Sequence, residues 1–277
     1  MSTFFWRPLA AGLALMALAL PAAALELKGR WVQGGMLVGR VDPGTAVAFQ
    51  GSPLRLSPDG LFVIGFDRDA ALESVLTLRA ADGRETHHPI RITARTYAIQ
   101  RIDGLPERKV APAPEELDRI QRESALARKA RGRDDARTDF ARGFIWPVSG
   151  RISGVYGSQR VLNGQPRQPH YGVDIAAPAG TPVKAPADGV VSLVHPDMFF
   201  SGGTLILDHG HGVSSTYLHL SEILVEEGQA VRQGEVIARV GASGRVTGAH
   251  LDWRMNWFDQ RLDPTLLVPP MPVGKRP

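Results

Sequence analysis

From Leu25 onward, apolar and polar residues alternate in short runs. "MLVGRVDPGTAVAFQG" alternates on either side of a Pro-Gly turn, and "LRLSPDGLFVIGF" does so around Pro-Asp-Gly. "VLTLRAADGRE" and "IRITARTYAIQRI" continue the pattern. A period of two sends successive side chains to opposite faces of a strand, and the Pro, Gly and Asp breaks mark turns. The pattern predicts a small β-sandwich over residues 25–104. His87 and His88, near the start of one of its strands, read as surface residues.

The pattern changes over residues 105–143. Between Glu107 and Arg142 there are ten basic and eight acidic residues and little apolar content. "EELDRIQRESALARKAR" is compatible with a helix, but its apolar stripe is only Leu117, Ile120 and Leu126. That composition predicts a solvated helix within a charged linker. From 144 to 268 the chain returns to strand-length runs such as "GTLILDHG", "VSSTYLHL", "EVIARVG" and "HLDWRMNWF". None holds a 3.6-residue period, and glycine-rich turns separate them. The expected fold class is all-β, with a second, mostly antiparallel sheet domain here and a Pro-rich tail at 269–277.

The first residues add a location. Arg7 precedes an apolar run from Leu9 to Leu20, followed by Pro21 and three alanines. This order predicts a secretory signal peptide over 1–24 and no membrane span after its removal. A periplasmic or secreted protein is expected. The chain has 277 residues, a formal net charge of +4 and no cysteine. The charge is too diffuse to call for nucleic acid. Without thiols, any metal must be held by His, Asp or Glu.

Such residues cluster in three segments: "HYGVDIAAPAGTPV", "HGHGVSSTYLHLS" and "HLDW". In an extended chain, His250 and Asp252 share a face, as do His170 and Asp174, and Tyr217 and His219. One cleft could thus receive several imidazoles and carboxylates. Spacing alone leaves metal binding, proton transfer and plain packing all open. His209 and His211 read as turn residues.

The order and spacing of these segments, with "EEGQAVRQGEVIARVGASGRVTGAHLDW" after them, resemble the lysostaphin-type zinc metallopeptidases that cut peptidoglycan peptides. The resemblance implies a groove in a β-sheet and a Zn2+ ion. It implies His170 and Asp174 as ligands, His219 and His250 as catalytic histidines, and Arg160 and Tyr217 beside the substrate. At position 252 the family usually has a third ligand, a histidine, where this chain has Asp252. An Asp oxygen can reach about where an imidazole Nδ1 would. Two carboxylates and one imidazole would neutralise Zn2+, so a less acidic bound water is expected. A second reading stays open, in which a weak or silent groove binds and activates a cell-wall amidase.

Overall fold

The structure is a computed structural model, described for residues 24–103 and 112–271. The expected signal peptide, apart from Ala24, and the tail from residue 272 lie outside the described residues.

The N-terminal alternation builds two antiparallel sheets. Leu25–Gly29, Met36–Val41 and Leu61–Gly65 form one. Ser52–Pro53, Ala46–Phe49, Glu73–Arg79 and Glu85–Arg91 form the other. Leu37, Phe62 and Ile64 from the first and Leu76, Leu78 and Ile90 from the second are buried in one core.

The second part of the chain centres on a ten-stranded sheet. Its main path runs Ala230–Val231, Gly189–Met198, Gly202–Asp208, Val213–Ile223, His250–Trp257, Val173–Ala176, Arg151–Gly154, and every neighbour is antiparallel. Alternation divides its residues cleanly. Ile175, Leu205, Leu207, Tyr217, Leu251, Trp253 and Met255 enter the main core behind the sheet. Asp174, Thr204, Thr216, Leu218, Asp252 and Arg254 face the other way, into a groove.

The same core continues into the N-terminal sheets. Phe49 meets Trp257 edge-on at 6.1 Å and Phe66 at 6.0 Å. The Asp263 amide donates to Gly34 O at 2.8 Å, and Arg68 Nε donates to Gly157 O at 2.8 Å. Ile99–Ile102 runs parallel to Gln159–Leu162 as a paired strand.

The charged segment departs from the sequence expectation. Pro114–Arg131 is a helix, but it is not solvated on all sides. Ala127 and Ala130 pack on Leu193, Met198 and Ile206, on the groove face of the sheet. Glu123 is 9% exposed and accepts from the Phe199 amide at 2.7 Å and from Arg119 Nε at 2.6 Å. Leu117 and Leu126, which the apolar stripe singled out, remain exposed. The contact face is built from small alanines and a fully paired acid, so a scan for large apolar residues passes over it. Beyond the helix, Arg133 and Arg137 both donate to Asp208 Oδ2, at 3.1 and 2.9 Å. The linker is therefore fastened along the sheet.

Candidate metal centre

Strand pairing assembles the site. Asp174 lies opposite Asp252, and Ala176 opposite His250. On its other side, Asp252 lies opposite Leu218, and Arg254 opposite Thr216. Directly opposed residues share a face, so two carboxylates from neighbouring strands meet without any special loop. His170, just before its strand, is tied by its amide to Ser158 O at 2.9 Å and by its carbonyl to the Gly157 amide at 2.7 Å.

Two glycines leave room for the carboxylates. A Cβ on Gly154 would lie 2.1 Å from Asp174 Oδ2, and one on Gly172 would lie 2.4 Å from Asp252 Oδ1. Both positions need the bare backbone for close approach rather than for a turn.

His170, Asp174 and Asp252 each offer one ligand atom, and these atoms lie within 4.8 Å of one another. His170 Nε2 is 3.0 Å from Asp174 Oδ1 and 3.4 Å from Asp252 Oδ2. Asp174 Oδ1 is buried, and even at 3.0 Å it makes no hydrogen bond of acceptable geometry with that nitrogen. Once His170 gives up its Nε2 proton, its nitrogen and two carboxylate oxygens converge as a donor set that suits a common cation. The residues therefore fit a metal ion.

All three groove imidazoles are oriented in one way. Nδ1 lies 3.4 Å from Val155 O in His170, 2.9 Å from Ser243 O in His219 and 2.9 Å from Gly248 O in His250. A carbonyl can only accept, so each Nδ1 carries the proton and each Nε2 turns to the groove. His250 Nε2 lies 3.8 Å from Asp174 Oδ1, and the rings of His219 and His250 are 4.9 Å apart.

His219 reaches the groove by a backbone irregularity. Its φ is +66°, the left-handed region that a non-glycine residue seldom adopts. The register with Gly202–Asp208 shifts beside it. This breaks the period of two, and it overturns the expectation that Tyr217 shares the face of His219. Tyr217 is fully buried behind the sheet, its hydroxyl 2.8 Å from Ser215 Oγ, and it does not line the groove. Arg160 does line it, with Nη2 3.6 Å from Asp174 Oδ2. His209 and His211 lie outside the groove, as turn residues should.

Arg254 corrects the expected charge of the site. Its Nε donates to Asp252 Oδ1 at 2.9 Å and its Nη2 to Oδ2 at 2.6 Å. Each carboxylate oxygen has a second lone pair, so Asp252 can still ligate. Two carboxylates and the one guanidinium hydrogen-bonded to them sum to −1, so a divalent ion would leave +1 rather than a neutral centre, before the more distant Arg160 adds its charge. That equals the charge of a set with one carboxylate and two imidazoles. The sequence carried this signal, since Arg254 is two residues from Asp252 and must share its face. Burial disfavours the charge on Asp252, but Arg254 and His170 hold its carboxyl well below the usual range. Burial also lowers the pKa of His170, yet Asp252 and Asp174 outweigh it and push that pKa up to about 9. His219 is shifted down, chiefly by burial.

Comparisons with known proteins agree with this geometry. The sequence profile of peptidase family M23 matches residues 168–264. The peptidoglycan DD-endopeptidase ShyA of Vibrio cholerae is 45% identical over 89 residues, which are 31% of this chain and 20% of that protein. An uncharacterised metalloprotease of Haemophilus influenzae is 38% identical over 118 residues, 43% of this chain and 22% of that one. The matches thus span only about a fifth of these relatives' length. A solved structure from Pseudomonas aeruginosa, assigned to peptidase M23, covers 86% of this chain and 94% of its own at 33% identity and a TM-score of 0.68. The similarity therefore extends well beyond the matched profile, and the chain belongs to peptidase family M23.

Proposed function

We propose that this chain is an exported zinc endopeptidase that cuts peptide cross-links of peptidoglycan. One observation carries the reading: the buried Asp174 Oδ1 and His170 Nε2 lie 3.0 Å apart without a hydrogen bond, with Asp252 completing the set. Three N and O ligands with an open fourth position suit a catalytic zinc. The relative named as a peptidoglycan DD-endopeptidase supports the substrate, and the family supports peptide hydrolysis.

When bound, zinc would polarise the scissile carbonyl and acidify the attacking water. His170, Asp174 and Asp252 hold it, and Arg254 fixes the orientation and charge of Asp252. His219 stays neutral at pH 7, because burial lowers its pKa. Its Nε2 takes the proton of the attacking water and returns it to the leaving amine. His250 presents its own Nε2 from the other side, next to the developing oxyanion. Arg160 contacts the peptide along the groove wall. We place the catalytic unit at 144–268, with 25–104 and the fastened helix as its support. The compartment is the periplasm or the medium, as the leading apolar segment implies.

The test is metal analysis and hydrolysis of purified peptidoglycan by the full mature chain. About one zinc per chain, activity lost to a chelator and regained with zinc, and metal kept but activity lost in His219→Ala are the expected results. A chain that takes up no zinc and cuts no cross-link would sink the enzyme and leave a binding groove.

A further inference from the structure

The groove, about 620 Å3, is unusually rich in guanidinium groups. Arg131, Arg160, Arg245, Arg254 and Arg261 line it, against the acids Glu123, Asp174 and Asp252. The acids are largely engaged. Asp252 is forked by Arg254, Glu123 is held by Arg119 and the Phe199 amide, and Arg160 approaches Asp174. Arg131, Arg245 and Arg261 are left over: among the described residues, none of the three has a carboxylate oxygen within ion-pair distance of its guanidinium. Arg245 lies over the Phe200 ring, 4.0 Å from its centre. Arg131 Nε is buried and has no hydrogen-bond partner.

Two separate elements bring Arg131 and Arg261 to the groove. Arg131 ends the helix Pro114–Arg131. Arg261 lies opposite Asn256, on the short strand Gln260–Leu262, and so shares the sheet face of Arg254. Its guanidinium lies 5.5 Å from the centre of the Tyr171 ring. Burial, and next the charge of Arg261, lower the pKa of Arg131 to about 10. Burial and Arg254 lower that of Arg261. Asp259 and Asp67 pull the other way from a distance, without an ion pair to either arginine. Three cations crowded into a half-buried groove, two of them unpaired, oppose one another in the free protein. An anion would relieve the repulsion and fill the empty donor positions.

We propose that Arg131 and Arg261 form a carboxylate subsite beside the metal centre, which takes a free carboxylate of the peptide being cut. A guanidinium fork matches the two oxygens of a carboxylate, and two forks from different elements fix its position. The idea rests on the peptidase reading for its substrate, but binding to the arginines does not require the metal. It gives the fastened helix a share in choosing the substrate.

The test is calorimetry on metal-stripped full-length protein, which cannot turn the ligand over. The probes are a cell-wall tetrapeptide with free carboxyls and the same peptide with every carboxyl converted to amide. The acid should bind at least about tenfold more tightly, as charged hydrogen bonds allow. Arg131→Met with Arg261→Met keeps the stems and should bring the two peptides to within about twofold of each other. Arg128→Met, exposed on the same helix, should leave the preference intact. The double variant should also melt close to wild type, because the repulsion it relieves offsets the lost contact of Arg261 with Tyr171 and no ion pair is broken. If it does not fold, Arg261→Met alone reads the same preference. Equal affinity of wild type for acid and amide would overturn the subsite, as would a loss in the variant that is equal for both. Neither outcome depends on hydrolysis, so a failed peptidase assay leaves this result legible.

Discussion

Histidines lie on opposite faces of the same sheet, and they differ in one atom's surroundings. Behind the sheet, His209 has Nδ1 2.6 Å from Asp188 O and Nε2 2.7 Å from Ser215 Oγ. Both nitrogens are satisfied, and burial drives its pKa down to about 4. In the groove, His170, His219 and His250 have the same kind of carbonyl partner at Nδ1, but Nε2 faces carboxylates or open space. A backbone partner at Nδ1 is common to both, and His170 and His219 are buried as His209 is. A second nitrogen turned toward carboxylates or open space separates a packing histidine from one available for chemistry.

The largest expected effect breaks the groove and leaves the back alone. Asp174→Ala should lose the metal and at least about a thousandfold in hydrolysis, since two ligands hold zinc poorly. His219→Ala should keep the metal and lose about a hundredfold to ten-thousandfold in kcat. Metal analysis beside peptidoglycan hydrolysis reads both. If His219→Ala lost the metal and Asp174→Ala kept it, the roles would be reversed.

The pair Asp252 and Arg254 gives a sharper test. Asp252→His would restore the usual residue of the family but leave the Arg254 guanidinium unpaired beside a divalent ion. Metal affinity should then fall by about tenfold to a hundredfold, the usual scale for a disturbed ligand partner. Adding Arg254→Gln should recover most of that loss. Competition with a zinc-sensitive dye measures each step. A gain from Asp252→His alone would show that the arginine does not set the charge.

On the back, His209→Ala should cost about 2–4 kcal/mol by removing a buried ring with two hydrogen bonds. Zinc content should not change in whatever fraction folds. A denaturant titration beside a metal assay separates the two faces.

The smallest effect is a pH dependence with opposite signs in the two forms. In the metal-free chain His170 has a pKa of about 9 against an ordinary 6.5. Its raised pKa means the folded state holds the proton more tightly. That stabilisation is complete below about 6.5 and is lost as the pH rises through about 9. Metal must displace the same proton, so affinity for it should rise over that interval. Melting curves with and without zinc from pH 6.5 to 9.5 should therefore diverge as the pH rises. Parallel curves would mean that His170 is no ligand.

Much of this was readable in the sequence because it follows from a period of two. The pairing of His250 with Asp252, the antiparallel strands and the two-sheet N-terminal region all come from alternation and turn residues. The face of Tyr217 is not legible, because nothing local announces that His219 will adopt a positive φ. Arg254 is legible by the same period, which puts it beside Asp252. The helix contact is hidden from the sequence for a different reason. Its contact uses Ala127, Ala130 and a paired Glu123, and none of these registers as apolar patterning.

That helix also bears on how the catalytic unit could be handled as a separate piece. A fragment trimmed to residues 144–268 would keep all three ligands, both groove histidines and the Val155–Ser158 backbone that holds His170. It would also uncover Leu193, Met198 and Ile206, which the helix now shields beside the active groove. Exposed apolar side chains on a sheet face invite association between copies. A shortened enzyme of this kind should therefore precipitate more readily than the full chain, even with its metal centre intact.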